Sequence, residues 1–413
     1  MSKKQIGLAG TLAIGLASML GAGVFVVFRD AYNFAGDWLY AALGLAALVA
    51  SLNAASVYQL ARHVDRPGGT YAYARVYRSE TWSFLAGFAF VFGKIGSIAA
   101  IALVFGEYAW PGQKHLAAVL AILVMVVINV LGIQRTAGVA AVLSSITSAF
   151  LIFTIAVGAD PTAGMPLQLA TYTASSLLLP TLPSWGIVTG ASLIFFAFAG
   201  YARVATLGDE VRNAKRNIPK AIALSLGGVL VLYLLLTAVL TKVLGIKLAS
   251  SEAPFIAYFN ALGFHLDWLV LAVASVASLG SILALLAGVS RTAAGMSTDR
   301  ELPKFFESRN RFGSPWVAEV VIAVGAGSLV FIGDLSSVIG FSSFSVLFYY
   351  SVAHLSALGQ PAEQRFLPRF LPVLGLVLCL LLAVSVPGPA VIVSTAILLT
   401  AVVARRYFRV ESN

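Results

Sequence analysis

The sequence predicts an all-α protein that crosses a membrane twelve times. Three observations predict it. Apolar residues make up 59% of the 413-residue chain and charged residues only 11%, where soluble domains carry about 25% charged residues. The apolar residues come in long runs, and a spanning helix needs roughly 20 of them. The Lys and Arg residues gather on one side of those runs, as they do in cytoplasmic loops of membrane proteins. This bias accounts for the net charge of +10. No nucleic-acid partner is expected; the surrounding medium is membrane lipid.

Taken in order, the runs cover 6–28, 36–58, 82–108, 114–133, 138–158, 185–211, 218–244, 266–296, 316–333, 335–357, 367–386 and 389–404. The first is too long for a cleaved leader, and no small-residue cleavage site precedes a soluble domain. With the N-terminus inside, only Arg29, Lys114, Lys242 and Lys247 of the 27 basic residues fall on the outer side, and Lys94 and Arg203 fall within spans. This predicts both termini in the cytoplasm, an even number of spans and a place in the plasma membrane. The longest outer loop, 159–184, has no charge beyond Asp160. The chain therefore reads as one transmembrane domain, 1–404, with a short tail, 405–413.

Several chemistries are set aside. One cysteine, Cys379, excludes an intramolecular disulfide and a multi-cysteine metal site. His63, His115, His265 and His354 are scattered, and no paired acids or His–Asp pair suggests an intramembrane enzyme. No repeated filter motif or charge ring suggests a channel. No cofactor is expected.

The first run contains GLASMLGAGVF, residues 15–25, with Gly15, Gly21 and Gly23 at mid-span. Small residues spaced this way can serve close helix packing. They can also mark a break, tolerated in a membrane only where the freed backbone groups face a cavity or protein. A break exposes the N–H groups of a half-helix, which attract an anion such as a carboxylate, and carbonyls that can hold a cation. The sixth run carries FFAFAGYA, residues 195–202, with Gly200 at mid-span. Interrupted helices at corresponding positions of two halves are the mark of inverted repeats. This favours the break, with repeats at about 6–158 and 185–357 and two extra helices at about 367–404.

Four stretches then carry a resemblance over nearly the whole chain: ASMLGAGVF at 17–25, RPGGTYAYARV at 66–76, FFAFAGYARVATLGDEVRNAKRNIPKAI at 195–222, and SRTAAGMSTDRELPKFF at 290–306. In order and at matching topology, they resemble the amino acid–polyamine–organocation superfamily with its LeuT-type fold. The resemblance implies a secondary active transporter working by alternating access. It implies that Gly21, Ala22 and Gly23 hold the substrate's α-carboxylate by backbone N–H groups. It likewise implies that carbonyls of Met19, Leu20, Phe196, Ala197 and Ala199, around Gly200, hold the α-ammonium. Phe196 or Phe198 is the aromatic expected to close over the substrate. Many members have Glu two residues after the sixth-helix glycine, where this chain has Ala202; Asp209 and Glu210 with Arg212, Lys215 and Arg216 are the alternative inner gate, or a solvated turn.

The spans show no acid at mid-depth, and burying an unpaired charge is costly. A neutral amino acid with a small or apolar side chain is therefore the expected substrate. Coupling has two candidates. Lys94 lies twelve residues after Trp82, so about 18 Å deep, where insertion costs roughly +2.5 to +3.5 kcal/mol. It is either a structural peg on carbonyls freed by the breaks or a group that gains and loses a proton once per cycle, as a helix-five lysine does in some members; SSITSAF at 144–150 has no such lysine. Sodium-coupled relatives use helix-eight hydroxyls, and Ser278 and Ser281 are three apart on one helix face, unless they bond back to their own helix. Proton coupling is the expectation, with an exporter, an exchanger or a Na⁺ symporter as alternatives.

Overall fold

The computed structural model describes residues 6–64, 68–131, 136–160, 185–201, 204 and 211–410, and within them the chain is nearly all helix. Arg66, most of the 159–184 loop, Ala202, Arg203, Asp209 and Glu210 lie outside the described residues.

The first span is two helices, α1 (Leu8–Met19) and α2 (Val27–Ala35), joined through a 3-10 turn at Ala22–Phe25. Next come α3 (Leu39–Ala61), a short loop helix α4 (Thr70–Tyr77), and the long α5 (Glu80–Ala109). α6 (Lys114–Val130) and α7 (Thr136–Ala159) complete the first half. α8 (Gly186–Phe198) ends in a 3-10 turn, Ala199–Tyr201, and α9 (Ala214–Leu244) follows. Two short helices, α10 (Lys247–Ser250) and α11 (Pro254–Ala261), lead to α12 (Asp267–Thr298). α13 (Trp316–Ile332), α14 (Leu335–Gly359), α15 (Phe370–Val384) and α16 (Pro389–Val410) close the chain. Among the described residues, seven helical stretches are long and apolar enough to cross a membrane. The described apolar part of α7 (Ser145–Ala159), α8 and α13 are shorter apolar helices, and α15 and α16 pass the same test together, bent by 114° at the turn between them.

Local chemistry sets several ends. The Trp82 N–H donates to Ser79 Oγ at 3.4 Å to open α5; such caps satisfy donors the helix cannot. Gly36 and Gly245 adopt φ of +52° just past α2 and α9, the left-handed stop that glycine permits.

Two glycines seat α5 against α14. A Cβ on Gly93 would lie 2.7 Å from Ser345 Cβ, and one on Gly96 would lie 2.6 Å from the Phe341 ring. The Ser97 and Ser342 hydroxyls meet at 2.7 Å across the same seam. A polar knot ties α3, α14 and α15. His354 hydrogen-bonds through Nδ1 with Ser56 at 2.9 Å and through Nε2 with Asn53 at 2.7 Å, and Cys379 Sγ donates to Asn53 at 3.0 Å. His354 is fully buried in the bundle.

The reading of the first span needs correction at its outer end. The helix runs on to Ala35 rather than stopping at Phe28, and it carries Arg29 and Asp30 into the packed interior. They bury tolerably because they are paired: Arg29 Nε donates to Asp30 at 2.7 Å, and its Nη1 lies 3.5 Å from Glu107, which Lys114 also approaches at 3.5 Å. Buried charges survive in such company. Glu319 on α13 is likewise buried, accepting from Ser314 at 2.6 Å. Glu107 and Glu319 lie near the ends of α5 and α13, and both are engaged by partners there.

Candidate substrate site at the helix breaks

The site begins with α1 losing its hydrogen bonds. Leu20 N–H still donates to Leu16 at 2.7 Å, and the chain then turns extended at Gly21, with φ −79° and ψ −165°. The N–H of Gly21 finds no backbone carbonyl among the described residues. The 3-10 turn resumes with Val24 N–H on Gly21 O at 3.4 Å and Val26 N–H on Gly23 O at 3.2 Å. The glycines here are chosen for space, since none has a left-handed φ. A Cβ on Gly21 would overlap the Ser281 hydroxyl of α12, and one on Gly23 would sit 3.0 Å from the Phe196 ring. Gly15 has the blander role: its Cβ would meet Ser225 Oγ at 2.9 Å, so it serves packing on α9.

The second break lies against the first. α8 stops at Phe198, and Gly200 in the following turn touches the backbone of α1's last residues. A Cβ there would overlap the Ser18 carbonyl and reach Met19 N at 2.7 Å. Only a glycine allows that approach.

Two side chains bind the breaks together. Tyr233 of α9, fully buried, donates to the Met19 carbonyl at 2.7 Å and lies 3.4 Å from the Ala197 carbonyl. Lys94 of α5, 5% exposed, donates from Nζ to the Ala199 carbonyl at 3.4 Å. Carbonyls freed from both helices thus face two donors from neighbouring helices. Tyr233 was not singled out from the sequence, although a lone polar group in VLVLYLLL was the signal available.

The remaining candidates separate. Of the two phenylalanines, Phe196 stands over Gly23, while Phe198 packs on Tyr233 with ring centroids 5.1 Å apart. Ser278 Oγ donates back to Ala274 at 2.7 Å, and Ser281 Oγ faces Gly21. Ser278 and Ser281 therefore do different things despite their spacing. On one side of the breaks, Phe25 packs with Tyr108, Phe150 and Phe255 at centroid distances of 5.8, 6.0 and 5.0 Å. Tyr108 also donates to the Phe25 carbonyl at 3.1 Å. Toward the other face, Tyr71 of α4 donates to Asp299 at 2.6 Å, Arg75 pairs with Asp299 at 2.7 Å, and Arg405 pairs with Glu301 at 2.6 Å. Burial and the adjacent Asp299 carboxylate push the Tyr71 phenol above its ordinary range, so it keeps its proton and remains the donor. An apolar cavity of about 370 Å³ lies among α5, α12, α13 and α14, lined by Phe88, Ile95, Gly325 and Phe341. It includes no residue of the breaks, and its lining offers nothing to hold a zwitterion.

A sequence profile of the amino acid permease family matches residues 6–404. An uncharacterized transporter of Mycobacterium tuberculosis is 39% identical over 405 residues, covering 96% of this chain and 89% of that protein. Cationic amino acid transporter 6, chloroplastic, of Arabidopsis thaliana is 27% identical over 376 residues, 83% of this chain and 63% of the plant protein. Among solved structures, a Na⁺-coupled sialic acid symporter in a substrate-bound outward-open state superposes with a TM-score of 0.61 at 12% identity, over 94% of this chain and 90% of that one. That last likeness is one of fold.

Proposed function

The chain belongs to the amino acid permease family, a branch of the amino acid–polyamine–organocation superfamily, and from that premise we propose that it carries a neutral amino acid with a small or apolar side chain by alternating access, coupled to protons. The protein is a multi-pass membrane transporter rather than an enzyme. The observation that carries the finer reading is the meeting of the two breaks. Gly200 rests on the Ser18–Met19 backbone, and unwound N–H and C=O groups lie side by side there. Backbone dipoles can hold a zwitterion without a charged side chain.

In this reading, the N–H groups of Gly21, Ala22 and Gly23 take the carboxylate. The carbonyls of Met19, Leu20, Phe196, Ala197 and Ala199 take the ammonium. Phe196, over Gly23, closes the site. A neutral side chain is supported by charge: Lys94 brings a cation to the break, and among the described residues Asp30 and Glu107 are held by Arg29 and Lys114. The plant relatives are named for cationic amino acids, and a Lys or Arg side chain would find no free counter-charge at the breaks among the described residues. The chain folds as two repeats, about 6–158 and 185–357, with two extra helices and a cytoplasmic tail, and both termini lie on the cytoplasmic side of the plasma membrane. Lys94 is the coupling residue. A second reading, Na⁺ symport, is favoured by one observation: the Ser281 hydroxyl lies against Gly21.

The test is uptake in proteoliposomes across an amino acid panel, with and without a pH gradient and with and without Na⁺. Neutral amino acids should be transported and the pH gradient should drive their accumulation. Lys94→Met should keep exchange and lose that accumulation. Na⁺-dependent uptake by the wild type would move coupling to Ser281.

A further inference from the structure

Lys94 Nζ lies 3.4 Å from the Ala199 carbonyl, one of the groups proposed above for the substrate's ammonium. Gly93 and Gly96 lock the backbone beside it onto α14, so the side chain reaches the breaks from a fixed base. Its one hydrogen-bond acceptor among the described residues is the Ala199 carbonyl. Among the described residues, no ion pair reaches it. On α14, Tyr349 accepts from the Thr70 N–H and His354 is held by Asn53 and Ser56. Just past α12, Asp299 is taken by Arg75 and Tyr71 of α4. On α6, Lys114 faces Glu107, and His115 bonds with the Val330 carbonyl at 2.8 Å. On α13, Glu319 faces Ser314, and on α16, Arg405 faces Glu301. The 3-10 turn Ala22–Phe25 carries no titratable side chain.

Two ammonium groups cannot share one carbonyl in a dry site, because like charges a few ångströms apart repel strongly where water does not screen them. We infer that an amino acid binding at the breaks displaces a proton from Lys94, so that the carrier exchanges its substrate for H⁺. The inference rests on the reading of the breaks as the amino acid site. One N–H bond of the Lys94 ammonium breaks, its electron pair stays on Nζ, and the proton leaves to water on the side from which the substrate came. When the substrate departs on the other side, Nζ takes a proton from that side and returns to the Ala199 carbonyl. Substrate and proton therefore cross in opposite directions, and an inward proton gradient drives the amino acid outward.

Calorimetric titration of the full chain in lipid nanodiscs tests this, using L-alanine, L-leucine and L-methionine as probes. Titrations run from about pH 5.5 to about pH 8.5 in two buffers of different ionisation heat, which counts protons released per molecule bound. The wild type should release close to one proton at the acid end, with Kd falling about tenfold per pH unit there. Lys94→Met should bind with a Kd independent of pH and release none. Lys94→Arg, which cannot shed its proton, should bind at least about tenfold more weakly than Lys94→Met. Wild-type binding with a flat Kd and no released proton overturns the proposal, as does undiminished release by Lys94→Met. If Lys94→Met fails to fold, the wild-type proton count decides alone. Failure of the wild type to bind any of the three overturns the amino acid site itself, and the proton step with it.

Discussion

At the scale of single residues, Tyr233 has one proton and two carbonyls to give it to. The shorter contact, 2.7 Å to Met19, is the bond, and Ala197 at 3.4 Å keeps its lone pairs largely open for a ligand. Tyr233→Phe removes the hydroxyl and leaves the ring against Phe28 and Phe198. A lost hydrogen bond of this kind is worth about 1 kcal/mol, so Kd for the transported amino acid should rise roughly fivefold with expression unchanged. An unaltered Kd would remove Tyr233 from the site. The residues of the breaks were legible in the sequence because glycine inside an apolar run needs a reason. Tyr233 was not, because a lone tyrosine in such a run reads equally well as packing. Arg29 was misplaced for the converse reason: a charge at the end of an apolar run looks like a loop until its partners, here Asp30 and Glu107, are known.

At the scale of elements, the contact between the broken first span and the turn after α8 is backbone on side-chain-free backbone. Gly200→Ala would push a methyl into the Ser18 carbonyl, where no flexible side chain can move aside. Overpacking costs typically about 1–3 kcal/mol, and here it also separates the two breaks. The variant should melt at lower temperature in a thermal-shift assay and lose substrate binding. Gly227→Ala and Gly228→Ala on α9 are the controls, since an added Cβ meets nothing within 4 Å at either position. Alanine favours an exposed helix by up to about 1 kcal/mol, so both should be neutral or slightly stabilising. Equal loss in all three variants would mean that the α1–α8 contact has no special role. The order of the helices followed from apolar run length, and most of their described ends fell within a few residues; α8 stops at Phe198 although its run continued to 211, α16 runs on to Val410 past 404, and α2 runs on to Ala35 past Phe28. There the run stopped at charge, whereas the helix stopped at Gly36.

At the scale of the whole molecule, orientation can be read with a thiol reagent that does not cross membranes. The one native cysteine, Cys379, is buried and bonded to Asn53, so background labelling should be low. A cysteine introduced in the 159–184 loop should label from outside, and one introduced at Val76, which is exposed on α4, should label only after the membrane is opened. The reverse pattern would invert the topology and the direction argument that rests on it. The charge bias in the loops carried that orientation, because basic side chains are retained on one side during insertion. That the two breaks meet was implied by the resemblance; that α9 joins them through Tyr233 was not legible, since contact depends on packing between distant runs. The central claim is that the joined breaks are where an amino acid binds. Its most direct test is flux of radiolabelled L-alanine, L-leucine and L-methionine in proteoliposomes holding equal amounts of wild type or Gly23→Leu. The leucine side chain would fill the space between Gly23 and the Phe196 ring, where an added Cβ already lies at 3.0 Å. The wild type should give saturable, trans-stimulated flux of at least one of the three, and the folded variant should give none; equal flux through both would contradict the account.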